Sequence, residues 1–108
     1  MRVRLEGLRD FGASLSPHNA FHLLQGLETL PLRMRRHCDN ALTIANWLAT
    51  QPAVEHVAYA GLPDHPDYAL AQRLMPKGCG AVFSFVLKGG RAAGRKFIDG
   101  LQVFSHLA

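Results

Sequence analysis

The chain has 108 residues, 48% of them hydrophobic, and a formal net charge of +4 at pH 7. This length and composition are typical of one globular domain, and no apolar run approaches the ~20 residues that span a bilayer. The mild charge and the scattered basic residues argue against nucleic acid as a partner, and without a signal-peptide core the expected compartment is the cytoplasm.

The N-terminal segment is predicted to consist of a short lead-in followed by a long helix. The first eleven residues, MRVRLEGLRDF, favour a strand or an extended arm, because Gly7 and Gly12 interrupt any longer element. Residues 12–37 then predict one long helix with a marked bend. Ser16 is placed to cap its first turn, and Pro17 suits the first helical position, where no N–H is needed.

This helix should carry an apolar stripe. Apolar residues recur along it at three- and four-residue steps: Ala20, Leu23, Leu24, Leu27 and Leu30, with Phe21 beside them. Gly26 should let another backbone come close, and Pro31 should kink the helix because it removes a hydrogen bond. Beyond the kink the pattern resumes through Met34, Ala41, Ile44, Ala45 and Leu48, and the helix is predicted to end near Ala49.

The remaining elements alternate between strand and helix. In order they are a strand at residues 54–59, a turn-rich loop at 61–66, a short helix that Pro66 opens and that Pro76 and Gly78 end, a strand at 80–87, a helix at 91–101 and a strand at 103–107. The run at 80–87 is almost continuously apolar, which predicts burial on both faces. The expected fold is α+β, a small mixed sheet with helices on one face. Because the last strand ends without a turn or a polar tail, we expect the sequence to be part of a larger protein.

Few residues are candidates for a metal or a redox site. His18 and His22 lie four residues apart on one helical face and could bind a metal in principle, but exposed polar positions are the favoured interpretation. Cys38 and Cys79 have no C-x-x-C spacing and are expected to be reduced, structural thiols. The basic residues Arg33, Arg35 and Arg36 are expected to form a solvated helix face. We therefore predict no metal site.

The sequence likewise predicts no self-contained catalytic site. It has no phosphate-binding glycine motif: the glycines of residues 78–80 and 88–90 belong to turns. None of its serines (Ser14, Ser16, Ser84 and Ser105) lies in a nucleophile-elbow setting. Asp64 and His65 are expected to be solvated loop residues. The three lysines, Lys77, Lys88 and Lys96, lie outside any motif for an activated amine.

Several blocks of the sequence nevertheless resemble a known family. The stretch LEGLRDFGASLSPHNAFHLLQGLETLPLRMRRHCDNA is similar to the segment that joins the large and small domains of the pyridoxal-phosphate-dependent enzymes of cysteine and methionine metabolism. The similarity continues through YAGLPDHPDYALAQRLMPKGCGAVFSFVLKGG and GRKFIDGLQVFSHLA. It covers practically the whole chain, and the blocks EGLRDFGA, LSPHNAF, QGLETLPLRM and FSHLA most resemble the O-acetylhomoserine sulfhydrylase branch.

The resemblance implies both an architecture and a chemistry. Residues 1–37 would be the end of the large-domain segment with the inter-domain helix, and residues 38–108 a truncated small C-terminal domain. The implied reaction replaces the γ-substituent of an amino-acid substrate by sulfide or a thiol, with pyridoxal phosphate as electron sink, in an enzyme that is a homo-oligomer. No residue of 1–108 corresponds to the Schiff-base lysine or to the other cofactor and substrate ligands of the family, so we predict no catalytic, cofactor-binding or metal residue here.

Three interpretations follow for the function. The first is a part of a sulfhydrylase-type enzyme, inactive alone, which closes over the substrate side of the cofactor and supplies subunit contacts. The second is a cystathionine γ-synthase or γ-lyase relative within the same family. The third is an independent, non-catalytic structural or binding module.

Overall fold

The structure, a computed structural model, describes residues 2–104, and the chain divides into two compact units, Met1–Arg33 and Met34–Ala108. The elements in chain order are a π-helix (Val3–Asp10), α1 (Pro17–Glu28), α2 (Leu30–Ala49), β1 (Val54–Ala58), α3 (Tyr68–Leu74), β2 (Ser84–Leu87) and α4 (Gly90–Asp99). Among the described residues, no helix is both long enough and apolar enough to cross a membrane.

The lead-in is helical, so the prediction of a strand or an extended arm was wrong. The π-helix Val3–Asp10 satisfies its own backbone groups, and the Phe11 N–H donates to the Glu6 carbonyl at 3.0 Å. Arg2 and Glu6 form an exposed ion pair at 2.9 Å across one helical turn. A strand here would need a partner strand for its backbone, whereas a helix closes these bonds locally. Gly12, with a φ of 69°, follows the helix.

The predicted start of the long helix is confirmed, but the single kinked helix was wrong, because the structure has two helices here. The Ser16 Oγ accepts a hydrogen bond from the Asn19 N–H at 3.2 Å, and Pro17 is the first helical residue. The bend is a complete break at Thr29, which separates α1 from α2. Pro31 therefore lies in the first turn of α2, where a missing N–H leaves no hydrogen bond unmade.

Arg33 links the two sides of this break. Its guanidinium donates to the Gly26 carbonyl at 2.6 Å and to the Thr29 Oγ1 at 3.2 Å. The sequence predicted only a solvated arginine, and the side chain is exposed, but it also supplies donors to oxygens near the end of α1. Gly26 does not meet a close backbone: a Cβ added there would find nothing within 4 Å among the described residues.

The second unit is built around a small apolar core. Three residues of α2 are buried at helical spacing, and three from β1 and the following loop complete the cluster: Ala41, Ala45, Leu48, Val57, Tyr59 and Leu62. β1 and β2 form an antiparallel pair in which Val57 faces Phe85, with an irregularity between Val54 and His56. Phe85 packs against the core and also contacts Phe97 of α4, with ring centroids 5.6 Å apart.

The sheet is smaller than the sequence predicted. Within residues 2–104 it has two antiparallel strands, so the expected mixed sheet of three strands was wrong for that part of the chain. Val103 and Phe104 lie in a bend, and the rest of the predicted last strand, residues 105–107, falls outside the described residues. The other two predicted strands correspond to β1 and β2.

β2 is not buried on both faces. It begins at Ser84 rather than Gly80, and its burial alternates: Phe85 and Leu87 are half-buried, whereas Ser84 and Val86 are exposed. The apolar run suggested a central strand, but only one side of this strand has a packing partner among the described residues. The period-2 geometry of a strand then leaves its other side chains in water.

The observed ends of the two short helices, α3 and α4, lie within two or three residues of the ends predicted from the sequence. α3 begins at Tyr68, two residues after Pro66, and ends at Leu74, before Pro76. α4 begins at Gly90, directly after Gly89, and both glycines have positive φ angles. This confirms the predicted turn before α4, because side-chain-bearing residues rarely adopt such angles.

Replacement of Gly78 by alanine is expected to destabilise the chain by about 1–3 kcal/mol. Gly78 has a φ of 136°, and a Cβ there would lie 2.8 Å from both the Cβ and the Sγ of Cys38. Gly94→Ala is the matched control, because its Cβ would meet open space inside α4. Helix propensity predicts that this change stabilises by about 1 kcal/mol. Denaturant unfolding measures the change in the free energy of unfolding, which should be a loss for Gly78→Ala and a gain for Gly94→Ala. Equal changes in the two variants would contradict the prediction.

The chain alone is also expected to self-associate through α1. The side chains of Leu23, Leu24 and Leu27 are 59%, 62% and 54% exposed and lie on one helical face. Exposed apolar patches of this kind drive association. Sedimentation should show larger species as concentration rises, and Leu24→Gln with Leu27→Gln should reduce them more than Leu74→Gln on α3. A sharply monomeric wild-type chain with cooperative unfolding would count against this expectation.

Candidate functional site

The second unit contains a polar cavity of about 230 Å³. The residues with polar side chains that line it are Cys38, Asp39, Tyr59, Gln72, Lys77 and Cys79. They come from α2, from the position directly after β1, from α3 and from the loop after α3. Folding thus brings together the two cysteines, which are far apart in sequence. The sequence alone did not predict that Cys38 and Cys79 lie in the same cavity.

Tyr59 is the buried member of this group. Its ring is 3% exposed and lies 5.6 Å, centroid to centroid, from that of Phe83. Its hydroxyl donates to the Gly80 carbonyl at 2.9 Å. Burial raises the pKa of the Tyr59 hydroxyl above its usual 10.0, and the neighbouring Cys79 and Cys38 raise it further. The hydroxyl is therefore neutral at physiological pH and serves as a hydrogen-bond donor.

The two cysteines are free and half-buried. Cys38 lies close against the backbone of Gly78, the residue before Cys79, since a Cβ on Gly78 would be 2.8 Å from the Cys38 Sγ. This agrees with the prediction of reduced thiols in packing roles. The remaining polar lining residues, Asp39, Gln72 and Lys77, are exposed.

The loop pair Asp64 and His65 lines a different cavity, of about 200 Å³, together with Glu55 and His56. The His65 Nδ1 accepts a hydrogen bond from the Asp67 backbone N–H at 3.1 Å. This ring nitrogen therefore stabilises the turn that precedes α3. Asp64 is exposed, as the sequence predicted for a solvated loop residue.

The histidine pair on α1 is brought together by the helix. The Nε2 atoms of His18 and His22 lie 3.0 Å apart, and both residues are exposed. Their ring centroids are 4.4 Å apart and their planes are nearly perpendicular. Within residues 2–104, no group of three or more His, Cys, Asp or Glu side chains is arranged to hold a metal ion.

These cavities offer little chemistry of their own. The structure describes no buried charged side chain within residues 2–104, and the lysines Lys77, Lys88 and Lys96 are all exposed. A catalytic acid, base or amine usually owes its reactivity to burial or to a specific charged partner. Sequence reasoning missed the Tyr59–Gly80 hydrogen bond, which joins residues 21 positions apart and has no local sequence signal.

Comparison with known proteins gives a consistent result. The sequence model of the Cys/Met metabolism PLP-dependent enzymes matches residues 2–108. An L-methionine γ-lyase from Pseudomonas deceptionensis is 56% identical over 96% of this chain and 26% of its own length. An O-acetyl-L-homoserine sulfhydrylase from Leptospira meyeri is 49% identical over 100% of this chain and 25% of its own.

The fold agrees with these sequences. The solved structure of an O-acetylhomoserine sulfhydrylase from Wolinella succinogenes superposes with a TM-score of 0.83 at 40% identity, over 94% of this chain and 29% of that one. The chain therefore spans about a quarter of the length of the curated relatives that it matches.

Replacement of Tyr59 by phenylalanine is expected to destabilise the chain by about 1 kcal/mol at neutral pH, because the Gly80 carbonyl loses its donor. Since the folded-state pKa of Tyr59 is raised, the wild-type stabilisation is complete below pH 10.0 and declines as pH rises through the folded-state value. The Tyr59→Phe variant lacks this loss. The wild type should therefore unfold at a higher temperature than the Tyr59→Phe variant at neutral pH, and this difference in melting temperature should shrink at alkaline pH.

Tyr68→Phe is the control, because its hydroxyl has no hydrogen bond within the described residues and the side chain is only half-buried. Its effect should be small at both pH values. A wild-type advantage over the Tyr59 variant that grows with pH would contradict the assigned direction of the pKa shift.

Proposed function

Because the chain belongs to the Cys/Met metabolism PLP-dependent enzyme family, we propose that it is one part of an O-acetylhomoserine sulfhydrylase-type enzyme. The complete enzyme replaces the acetoxy group of O-acetylhomoserine by sulfide or a thiol. This is a step of sulfur amino-acid biosynthesis, and it releases acetate. The substrate in this proposal is a small amino acid, and the assembled enzyme is a homo-oligomer.

The observation that carries this proposal is the combination of high similarity and short coverage. The match to a solved sulfhydrylase extends over 94% of this chain at 40% identity, but over only 29% of that chain. Most of this chain thus resembles part of an enzyme that is more than three times longer. The chain is expected to contribute structure to such an enzyme and to have no activity by itself.

Enzymes of this family depend on pyridoxal phosphate, whose bound form serves as an electron sink for the substrate. The lining of the polar cavity does not fit this cofactor. The polar cavity, about 230 Å³, has no serine, threonine or arginine in its lining to hold a phosphate. Its lysine, Lys77, is exposed to water. This supports the proposal that the Schiff-base lysine and the other cofactor ligands are absent from these 108 residues.

The proposed role of the chain is to cover the substrate side of the cofactor and to supply contacts between subunits. The apolar face of α1 supports this role, since Leu23, Leu24 and Leu27 are each more than half exposed within the described residues. A helix with such a face needs another surface to cover it in a stable protein. The rest of the enzyme would provide that surface.

A relative that performs γ-elimination is the second candidate. The 56% identity to a methionine γ-lyase exceeds the 49% identity to the Leptospira sulfhydrylase, and both values come from nearly the same residues. A cystathionine γ-synthase-type reaction and a non-catalytic structural module are two further candidates. The sulfhydrylase proposal rests on the resemblance of the blocks EGLRDFGA, LSPHNAF, QGLETLPLRM and FSHLA to the sulfhydrylase branch, and on the fold match to a solved sulfhydrylase.

The isolated chain is expected to form no internal aldimine with pyridoxal phosphate. Mixing the two should give no aldimine band specific to a single lysine, because no lysine is buried beside cofactor-binding groups within the described residues. Borohydride reduction followed by peptide mapping checks for attachment. A strong visible band trapped on one lysine would refute the proposed absence of the catalytic amine.

A chimeric enzyme tests the reaction class. Residues 2–108 would replace the matching quarter of the Leptospira sulfhydrylase, and the matched control would carry the corresponding segment of the Pseudomonas methionine γ-lyase. The first chimera is expected to keep more homocysteine synthesis from O-acetylhomoserine and sulfide than the control does. If the control retains more synthesis, and the first chimera instead cleaves methionine, the γ-lyase candidate replaces the sulfhydrylase proposal.

A further inference from the structure

The histidine pair on α1 has a geometry that its sequence spacing alone does not give. The Nε2 atoms of His18 and His22 are 3.0 Å apart. Both side chains are exposed, so neither is held in place by a core. Spacing of four residues puts two side chains on one helical face but leaves open which atoms meet. Here the outer ring nitrogens, the pair best placed to bind a shared ligand, approach each other.

The inclination of the rings matters for what they can bind. If the N–H of one ring pointed straight at the Nε2 of the other, the distance between the ring centroids would exceed the N···N distance by roughly one imidazole ring diameter. The centroids are instead 4.4 Å apart, only slightly farther than the nitrogens, and the planes meet at 86°. The two rings are therefore steeply inclined to each other, and their nitrogens converge on the same side of the helix.

We propose that His18 and His22 form a two-histidine chelate for a divalent transition-metal cation of tetragonal preference, of the Ni²⁺ or Cu²⁺ class. Imidazole nitrogens bind such ions at about 2.0–2.1 Å, so nitrogens 3.0 Å apart subtend an angle of about 95° at the metal. This is close to the right angle between neighbouring ligands of a square-planar or octahedral ion. It is narrower than the tetrahedral angle that Zn²⁺ favours.

Water completes the coordination shell in this proposal. No third His, Cys, Asp or Glu joins the pair within the described residues, and the exposure of both rings leaves room for solvent ligands. Among divalent ions of the first row, affinity for nitrogen ligands rises through Ni²⁺ to Cu²⁺. The site is independent of the proposed enzyme function, because it needs only the residues of α1.

Binding is coupled to the helix that positions the ligands. His18 lies directly after Pro17, in the first turn, and His22 lies one turn later. A metal held by both residues fastens the first turn to the second. Because a ligand that binds only the ordered helix stabilises it by mass action, the metal should raise the helix content of α1.

Ni²⁺ is the experimental probe, since Cu²⁺ would oxidise the free thiols of Cys38 and Cys79. The 108-residue chain is titrated with Ni²⁺ in a non-coordinating buffer at neutral pH, by calorimetry and circular dichroism. The wild type should bind one Ni²⁺ through this pair, with a rise in helical signal. Loss of either ligand, in His18→Gln or His22→Gln, should weaken binding about tenfold or more and remove that rise.

His37→Gln is the matched control, an exposed helical histidine with no histidine one turn away. It should keep the wild-type affinity and helical response. Circular dichroism without metal checks that each variant retains the wild-type helix content. An Ni²⁺ affinity that neither His18→Gln nor His22→Gln lowers, or that His37→Gln lowers equally, would overturn the proposal. So would binding by the wild type with no change in helical signal.

Discussion

The apolar cluster shared by α2, β1 and the loop after β1 is the contact on which the second unit depends. Ala41 and Ala45 lie one turn apart on α2, and both are almost completely buried, at 4% and 0% exposure. They share one buried cluster with Val57 of β1 and with Tyr59 and Leu62 of the loop that follows. Of the seven buried residues in the described chain, three are alanines. A large buried side chain contributes about 1.5–3 kcal/mol, so this core supplies little stabilisation for the number of residues that it must order.

The small core and the exposed apolar residues have the same physical meaning. Much of the apolar surface that the sequence encodes is not covered within the described residues, including the leucines of α1 and both Trp47 and Val82. Such a balance is typical of a segment whose packing partners belong to the rest of a larger protein. The high similarity to enzymes about four times as long agrees with this interpretation.

The sequence predicted what local chemistry decides and missed what depends on neighbours. Ser16 and Pro17 define the start of α1 by local hydrogen bonding and φ restriction, so this start was predictable. The break at Thr29 precedes Pro31 by two residues and was not predicted at that position. The apolar run at the second strand indicated burial on both faces, but burial depends on a covering layer that the run does not reveal. The glycines of the lead-in favour a strand or an extended arm, whereas the structure has a helix there. The i,i+4 pair of Arg2 and Glu6 was a local helical signal that was overlooked.

The candidate site was still less predictable. The absence of a catalytic motif was clear from residue types, but the gathering of Cys38, Tyr59 and Cys79 depends on tertiary contacts with no spacing pattern. Likewise, the helical spacing of His18 and His22 indicated a shared face, and only the rotamers bring their Nε2 atoms to 3.0 Å. The functional proposal therefore rests on the family match and not on a motif in the described residues.

The two-stranded sheet has a consequence for hydrogen exchange. In an antiparallel ribbon each strand bonds to its neighbour along one edge, so roughly half of its amides point toward solvent. Within residues 2–104, β1 and β2 have only each other as partners. Beyond the irregularity between Val54 and His56, deuterium uptake should consequently alternate between slow and fast at successive amides of residues 56–58.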